Sequence, residues 1–134
     1  MSDARIKLEI VTPEKLVYTA ETTYIAAQGV MGQLGLLPNH AALVTALDIG
    51  ALRVRGEKGE DETLFINGGF LEINKNHAVV LTHTAERRED IDVARAEQAK
   101  LRAEERLAQK SDSLDVDRAE AALKRAINRL KIAG

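Results

Sequence analysis

The sequence predicts an α+β fold in two parts: an N-terminal antiparallel β-sandwich over residues 1–85 and a C-terminal antiparallel two-helix hairpin over 86–134. Three observations carry this expectation. All but the last of the nine glycines, both prolines, all four aromatic residues and all three histidines lie in the first part. The second part has no Gly or Pro before its terminal Gly134 and is dense in Ala, Glu, Arg and Lys. The apolar period also changes near residues 84–90, from two residues to between three and four.

In the first part Ile6, Leu8 and Ile10 alternate with Lys7 and Glu9, and Thr12-Pro13-Glu14-Lys15 ends that strand. Leu52 and Val54 alternate with Arg53 and Arg55 ahead of the polar tip Gly56-Glu57-Lys58-Gly59-Glu60-Asp61. Leu64-Phe65-Ile66 returns, and Asn67-Gly68-Gly69 reads as a turn. Phe70, Leu71 and Ile73 form another short strand, Asn74-Lys75-Asn76 turns it, and residues 77–82 come back. Short strands with frequent turns point to an antiparallel sandwich or barrel.

In the second part Ala96, Ala99, Ala103 and Leu107 follow helical spacing, as do Val116, Ala119, Leu123, Ala126 and Leu130 after a break at residues 109–113. Glu89, Asp90 and Asp92 place negative charge at the start of the first helix, and Asp112, Ser113 and Asp115 are suitable caps for the second. The short connection predicts that the helices fold back on each other. Alanine along the seam lets them approach closely but buries little area per contact, at about 25 cal/mol per Å² of apolar surface. Such a hairpin is expected to be only marginally stable by itself.

Composition narrows the function. With 19 Lys and Arg against 21 Asp and Glu, the chain has no whole-protein attraction to nucleic acid or anionic lipid. It has no cysteine, so disulfides, thiolate metal sites and cysteine nucleophiles are out. No apolar run is long enough to span a membrane and the N-terminus lacks a signal-peptide pattern, so a soluble intracellular protein is expected. Four aromatics and no Trp make a base-stacking platform a poor fit.

Hydrolase, zincin and Walker motifs are missing. His77 and His83, six residues apart on one expected strand, would stand about 20 Å apart and cannot share a metal ion. The glycines of Gly29-Val30-Met31-Gly32-Gln33-Leu34-Gly35 have turn spacing rather than a dinucleotide-binding pattern. No catalytic residue and no metal site is expected.

The helical part is richer. Arg88, Arg95 and Arg102 recur every seven residues, and Arg118, Arg125 and Arg129 lie along one side of the second helix. Arg125 and Arg129 repel each other at i, i+4, by a few tenths of a kcal/mol in an isolated helix. One reading is a solvated face; the other is a surface that meets an anion or an acidic protein. Asp92 favours the second modestly, because it falls on the side of Ala96 and Ala99, where a carboxylate needs a partner. Arg95 is one candidate partner and an arginine of the facing helix is another.

Gly32-Gln33-Leu34-Gly35-Leu36-Leu37-Pro38-Asn39-His40-Ala41 resembles the G-[EQ]-[LM]-G-I-L-P-x-H-A signature of the epsilon subunits of bacterial and chloroplast F-type ATP synthases. Gly68-Gly69-Phe70-Leu71-Glu72-Ile73 is similar to that family's G-G-F-x-E-V strand, and Ala85-Glu86-Arg87 matches at the domain junction. The resemblance covers essentially the whole chain. It implies a β-sandwich followed by a helical hairpin, and a non-catalytic place in the rotor stalk of a proton-translocating synthase. There the sandwich would hold the gamma subunit and the c-ring, with Gln33 and His40 in the region facing the ring. Some members carry Glu at the position of Gln33.

The family's hairpin is also a regulatory arm. Extended, it would meet the alpha and beta catalytic subunits through Arg118, Arg125 and Arg129 and block ATP hydrolysis; folded down, it would release them. A weakly packed hairpin suits a two-state element, because few kcal/mol separate its conformations. A subset of the family binds ATP in the folded-down state through I/L-D-x-x-R-A, which Ile91-Asp92-Val93-Ala94-Arg95-Ala96 matches in full. By that resemblance Glu86, Ile91, Asp92, Arg95, Ala96, Arg125 and Arg129 would bind ATP as a regulatory ligand, with no cofactor required. Ile91 would flank the adenine, Asp92 would orient Arg95 or a base edge, and phosphate would relieve the repulsion between Arg125 and Arg129. The same six residues also read as an ordinary helix start with an Asp–Arg pair.

The resemblance implies peripheral attachment to the cytoplasmic face of a bacterial plasma membrane, with a thylakoid membrane as the alternative. Two other functions compete: a freestanding nucleotide-sensing module, which leaves the 32–41 signature unexplained, and a small hydrolase. The hydrolase is weak, because Ser2, Ser111 and Ser113 lie far in sequence from any histidine.

Overall fold

The computed structural model describes residues 4–109 and 113–134. Eight strands come first: β1 (Ile6–Val11), β2 (Leu16–Thr22), β3 (Ile25–Gly29), β4 (Gly32–Leu36), β5 (Leu43–Arg55), β6 (Asp61–Asn74), β7 (His77–Leu81) and β8 (Ala85–Arg87). A single 3-10 turn (Arg88–Asp90) leads to helices α1 (Val93–Gln109) and α2 (Ser113–Ala133). The strands run in the order β2-β1-β7-β6-β5-β3-β4, with β8 beside β6. Every pairing is antiparallel except β1 with β7, which is parallel, so the sheet is mixed. Parallel neighbours need a long crossover, and here β2 to β6 supply it.

One apolar face of this sheet closes on itself. Ile6, Leu8 and Ile10 of β1 pack with Ile25, Leu36, Leu52, Val54, Leu64, Leu71, Ile73 and Val80 in one core. The two longest strands, β5 and β6, are paired with each other along nearly their whole length.

Asn67-Gly68-Gly69 is therefore not a turn. β6 runs through it and keeps register with β5 from Asp61 to Ile73. Gly68 and Gly69 have φ of +70° and +110°, a backbone that side chains rarely tolerate. Across them the buried positions shift from Leu64 and Ile66 to Leu71 and Ile73, which a strict alternation would place on opposite faces. A Cβ on Gly69 would lie 1.9 Å from the Leu81 carbonyl oxygen. The true turn follows at Lys75 and Asn76, both left-handed (φ 50° and 62°).

The helical seam is as the spacing predicts, with Ala96, Ala103, Ala119 and Ala126 all buried. Asp112 lies outside the described residues. Asp92 caps α1: its Oδ1 accepts from the Arg95 backbone N–H at 3.1 Å and its carbonyl accepts from Ala96 N–H at 3.0 Å. The carboxylate therefore serves the backbone of Arg95, not its guanidinium.

The hairpin is docked on the outer face of β5 and β6. Phe65, wholly buried although it points away from the main core, packs with Ile91 and Ile132, flanked by Ile49, Ala51 and Ala133. Lys124 Nζ donates to Asp48 Oδ2 at 2.6 Å. Arg88 lies in the 3-10 turn rather than on the face of α1 that its spacing to Arg95 suggests. Its Nε donates to the Ile132 carbonyl at 2.7 Å and its Nη2 to that of Gly134 at 3.2 Å, so it caps the end of α2.

Candidate functional site

A cleft of about 690 Å³ opens between α1, α2 and the β8 edge of the sheet, within the size range of small-molecule sites. Arg95, Arg102 and Arg106 line it from α1, and Arg125 and Arg129 from α2. Spacings of seven and four on α1, and of four on α2, put each set on one helix face. Between them Ala96, Ala99, Ala103 and Ala122 form a floor of small side chains that leaves room above it. Thr84, Glu86, Asp90 and Asp92 complete the wall near the sheet.

The charges do not cancel: five arginines face three carboxylates. Of these, Asp92 caps the helix and Glu86 is bound to Arg129, Oε1 accepting from Nε at 2.7 Å. Among the described residues, no carboxylate stands within ion-pair distance of Arg95, Arg102, Arg106 or Arg125. Clustered guanidiniums without partners raise the local potential and provide forked donors that match phosphate oxygens. The arrangement can hold a polyanion.

The cleft brings together Glu86, Asp92, Arg95, Ala96, Arg125 and Arg129 from the sequence-expected set. Ile91 is the exception. It does not line the cleft, because its side chain is buried against Phe65 and Ile132 in the docking contact. Arg118 is exposed on α2, also outside the cleft. Gln33 lies exposed on the edge strand β4, opposite Gln28. His40 follows β4, its Nδ1 2.7 Å from the Ala41 carbonyl, and next to it Asn39 is tied to Asn76 of the β6–β7 turn. His77 meets Glu9 at 2.5 Å, whereas His83 lies beyond the end of β7, so the two histidines do not share a strand.

Arg106 and Asp90 are not among the expected site residues, and Arg102 belongs to the arginine repeat but not to the expected ATP-binding set. The signal for the two arginines is present, since Arg95, Arg102 and Arg106 follow the i, i+7, i+11 stripe of one helix face.

Comparison with known proteins decides the family. A profile of the ATP synthase delta/epsilon chain beta-sandwich domain matches residues 5–88, and a profile of the long alpha-helix domain of the same chains matches 89–134. The chain belongs to the ATP synthase delta/epsilon family. It is 56% identical to the ATP synthase epsilon chain of Pelotomaculum thermopropionicum over 134 residues, covering 100% of this chain and 99% of that one. Identity to the epsilon chain of Desulforamulus reducens is 51% over 127 residues, covering 95% and 96%. Among solved structures it is similar to a chain of the Euglena gracilis mitochondrial ATP synthase OSCP/F1/c-ring assembly, with TM-score 0.83 and 25% identity, covering 96% of this chain and 81% of that chain. A chain of the Tetrahymena thermophila central stalk and c-ring shares the fold at TM-score 0.66 and 15% identity, with full coverage of both chains. The two family domains meet between residues 88 and 89, just past β8. Among the described residues, no helix of this ATP synthase family member is long and apolar enough to cross a membrane.

Proposed function

We propose that the chain is the non-catalytic rotor-stalk epsilon subunit of a proton-translocating bacterial ATP synthase, whose hairpin inhibits ATP hydrolysis when extended and is held folded down by ATP. The five-arginine cleft carries this reading. It exists only where α1, α2 and the β8 edge converge, so an anion bound there favours the docked hairpin over any extended one. Its size and donors fit a nucleoside triphosphate.

The rotor role draws support from the sandwich surface. Phe70 and Leu81 are directly paired on β6 and β7, and Val44 of β5 lies diagonal to Phe70; all three are more than half exposed. An exposed apolar stripe of this kind marks a protein contact, and the gamma subunit is the partner proposed. Val30 and Met31 at the β3–β4 tip, close in the chain to Gln33, offer a second apolar contact to the c-ring. Arg125 and Arg129 would serve ATP in the docked state and, with Arg118, the acidic surface of the alpha and beta subunits in the extended one. Attachment to the cytoplasmic face of the membrane follows through these partners alone.

Hydrolysis by the cognate catalytic core tests the reading, comparing the full chain with one ending at residue 88, with ATP titrated in both. Faster hydrolysis with the shorter chain, and relief of inhibition in the full chain as ATP rises, is the expected result. Equal rates would leave a rotor clamp without an arm. If Arg125→Ala abolished ATP relief while inhibition stayed intact, Arg125 would serve only the nucleotide, and its shared use would be wrong.

A further inference from the structure

The docked geometry contains a feature that the cleft's own helices do not explain. Phe65 and Glu86 are directly opposite on the antiparallel strands β6 and β8, so their side chains emerge on one face of the sheet. Arg129 of α2 lies over both. Its guanidinium carbon is 4.4 Å from the centroid of the Phe65 ring, and its Nε donates to Glu86 Oε1 at 2.7 Å. A ring beneath the plane and a carboxylate at one edge fix a guanidinium in position and orientation. Among the described residues the hydrogen bond of Arg129 to Glu86 goes through Nε, which leaves the Nη donors for the cleft.

We infer that Phe65 is a positioning residue for the anion cleft: with Glu86 it forms a seat on the sandwich that aims the Nη groups of Arg129 at a bound phosphate chain. Phe65 touches no ligand; it acts through Arg129. The seat belongs to one domain and the arginine to the other, so undocking the hairpin dismantles this donor even where α1 and α2 stay together. This rests on the nucleotide reading above and adds to it a sandwich residue outside the helices.

The test is calorimetric titration of magnesium-free ATP into the full chain, at a temperature where every variant is folded by circular dichroism. Phe65→Leu and Phe65→Met keep an apolar side chain against Ile91 and Ile132 but remove the ring face. The wild-type chain is expected to bind, and both variants to bind about three- to tenfold more weakly. In an Arg129→Gln background the same changes are expected to alter affinity less than about twofold, because the ring has nothing left to position. A purely structural role for Phe65 would instead lower affinity equally in both backgrounds, and that result overturns the inference. So does unchanged affinity on replacing Phe65 in the otherwise wild-type chain. A wild-type chain that fails to bind ATP overturns the nucleotide reading, and the inference with it. Two variants of different shape guard against one failing to fold.

Discussion

Replacing Ile132 with alanine removes three carbons from the contact that docks the hairpin. Ile132 is 6% exposed and packs on Phe65 and Ile91, so nearly all of the deleted surface is buried. At about 0.8 kcal/mol per buried methylene the loss is about 2–2.5 kcal/mol. The cluster is small and lies at the domain edge, where neighbours can close in, so little is added for a residual cavity. Because the contact joins the two parts, the loss falls on the docking equilibrium, which shifts about 30- to 70-fold toward the undocked state. Amide hydrogen exchange reads this directly. Amides of residues 124–131 in α2 are expected to lose protection by that factor, since an alanine-seamed hairpin gains little by itself. Amides of Leu8 and Val80 in the sandwich core are expected to be unchanged. A uniform loss in both regions, or unchanged exchange in α2, would mean that hairpin and sandwich do not separate as units at this contact.

Docking is also expected to weaken in acid. The Asp48 carboxyl titrates below its ordinary value of 3.8, chiefly because Lys124 hydrogen-bonds its charged form. A lowered folded-state pKa contributes stability that is present above the ordinary value and lost as pH falls through the folded one. The pair is half-exposed, so the effect is about 0.2–1 kcal/mol, seen as lower α2 protection factors (observed rate against the intrinsic rate at the same pH) below about pH 4 in the native chain, a fall that is reduced in Asp48→Asn. In the sandwich, Gly69→Ala is expected to destabilise by at least about 3 kcal/mol in urea unfolding, because its Cβ would enter the Leu81 carbonyl. Gly32→Ala, with a comparable left-handed φ but nothing within 4 Å, is expected to lose only about 1 kcal/mol.

The two-part architecture was legible because each part obeys one period: Ile6, Leu8 and Ile10 face one way in a strand, and Ala96, Ala103, Ala119 and Ala126 mark the faces on which two helices meet. The Gly68-Gly69 pair misled, because a turn and a kinked strand send the same local signal. Only pairing with β5 on one side and β7 and β8 on the other tells them apart. Arg88 misled in a related way. Its heptad spacing to Arg95 places it on α1 only if the helix extends that far, whereas Asp92 caps the helix and the 3-10 turn carries Arg88 to the end of α2. Most of the cleft was visible as a repeat of arginines, down to Arg95, Arg125 and Arg129. The seat beneath Arg129 was not, because Phe65 meets Glu86 through a strand pairing that no local pattern encodes.

The proposed function turns on whether the cleft of the docked hairpin takes up nucleotide. Titrating ATP into the isotope-labelled full chain, and following its amide and arginine side-chain resonances, tests this most directly. Saturable shifts centred on Arg95, Arg102, Arg106, Arg125 and Arg129, with slower amide exchange through α2, are expected. Spectra unchanged up to about 5 mM ATP, or shifts confined to the sandwich surface around Gln33 and His40, would contradict the proposed function.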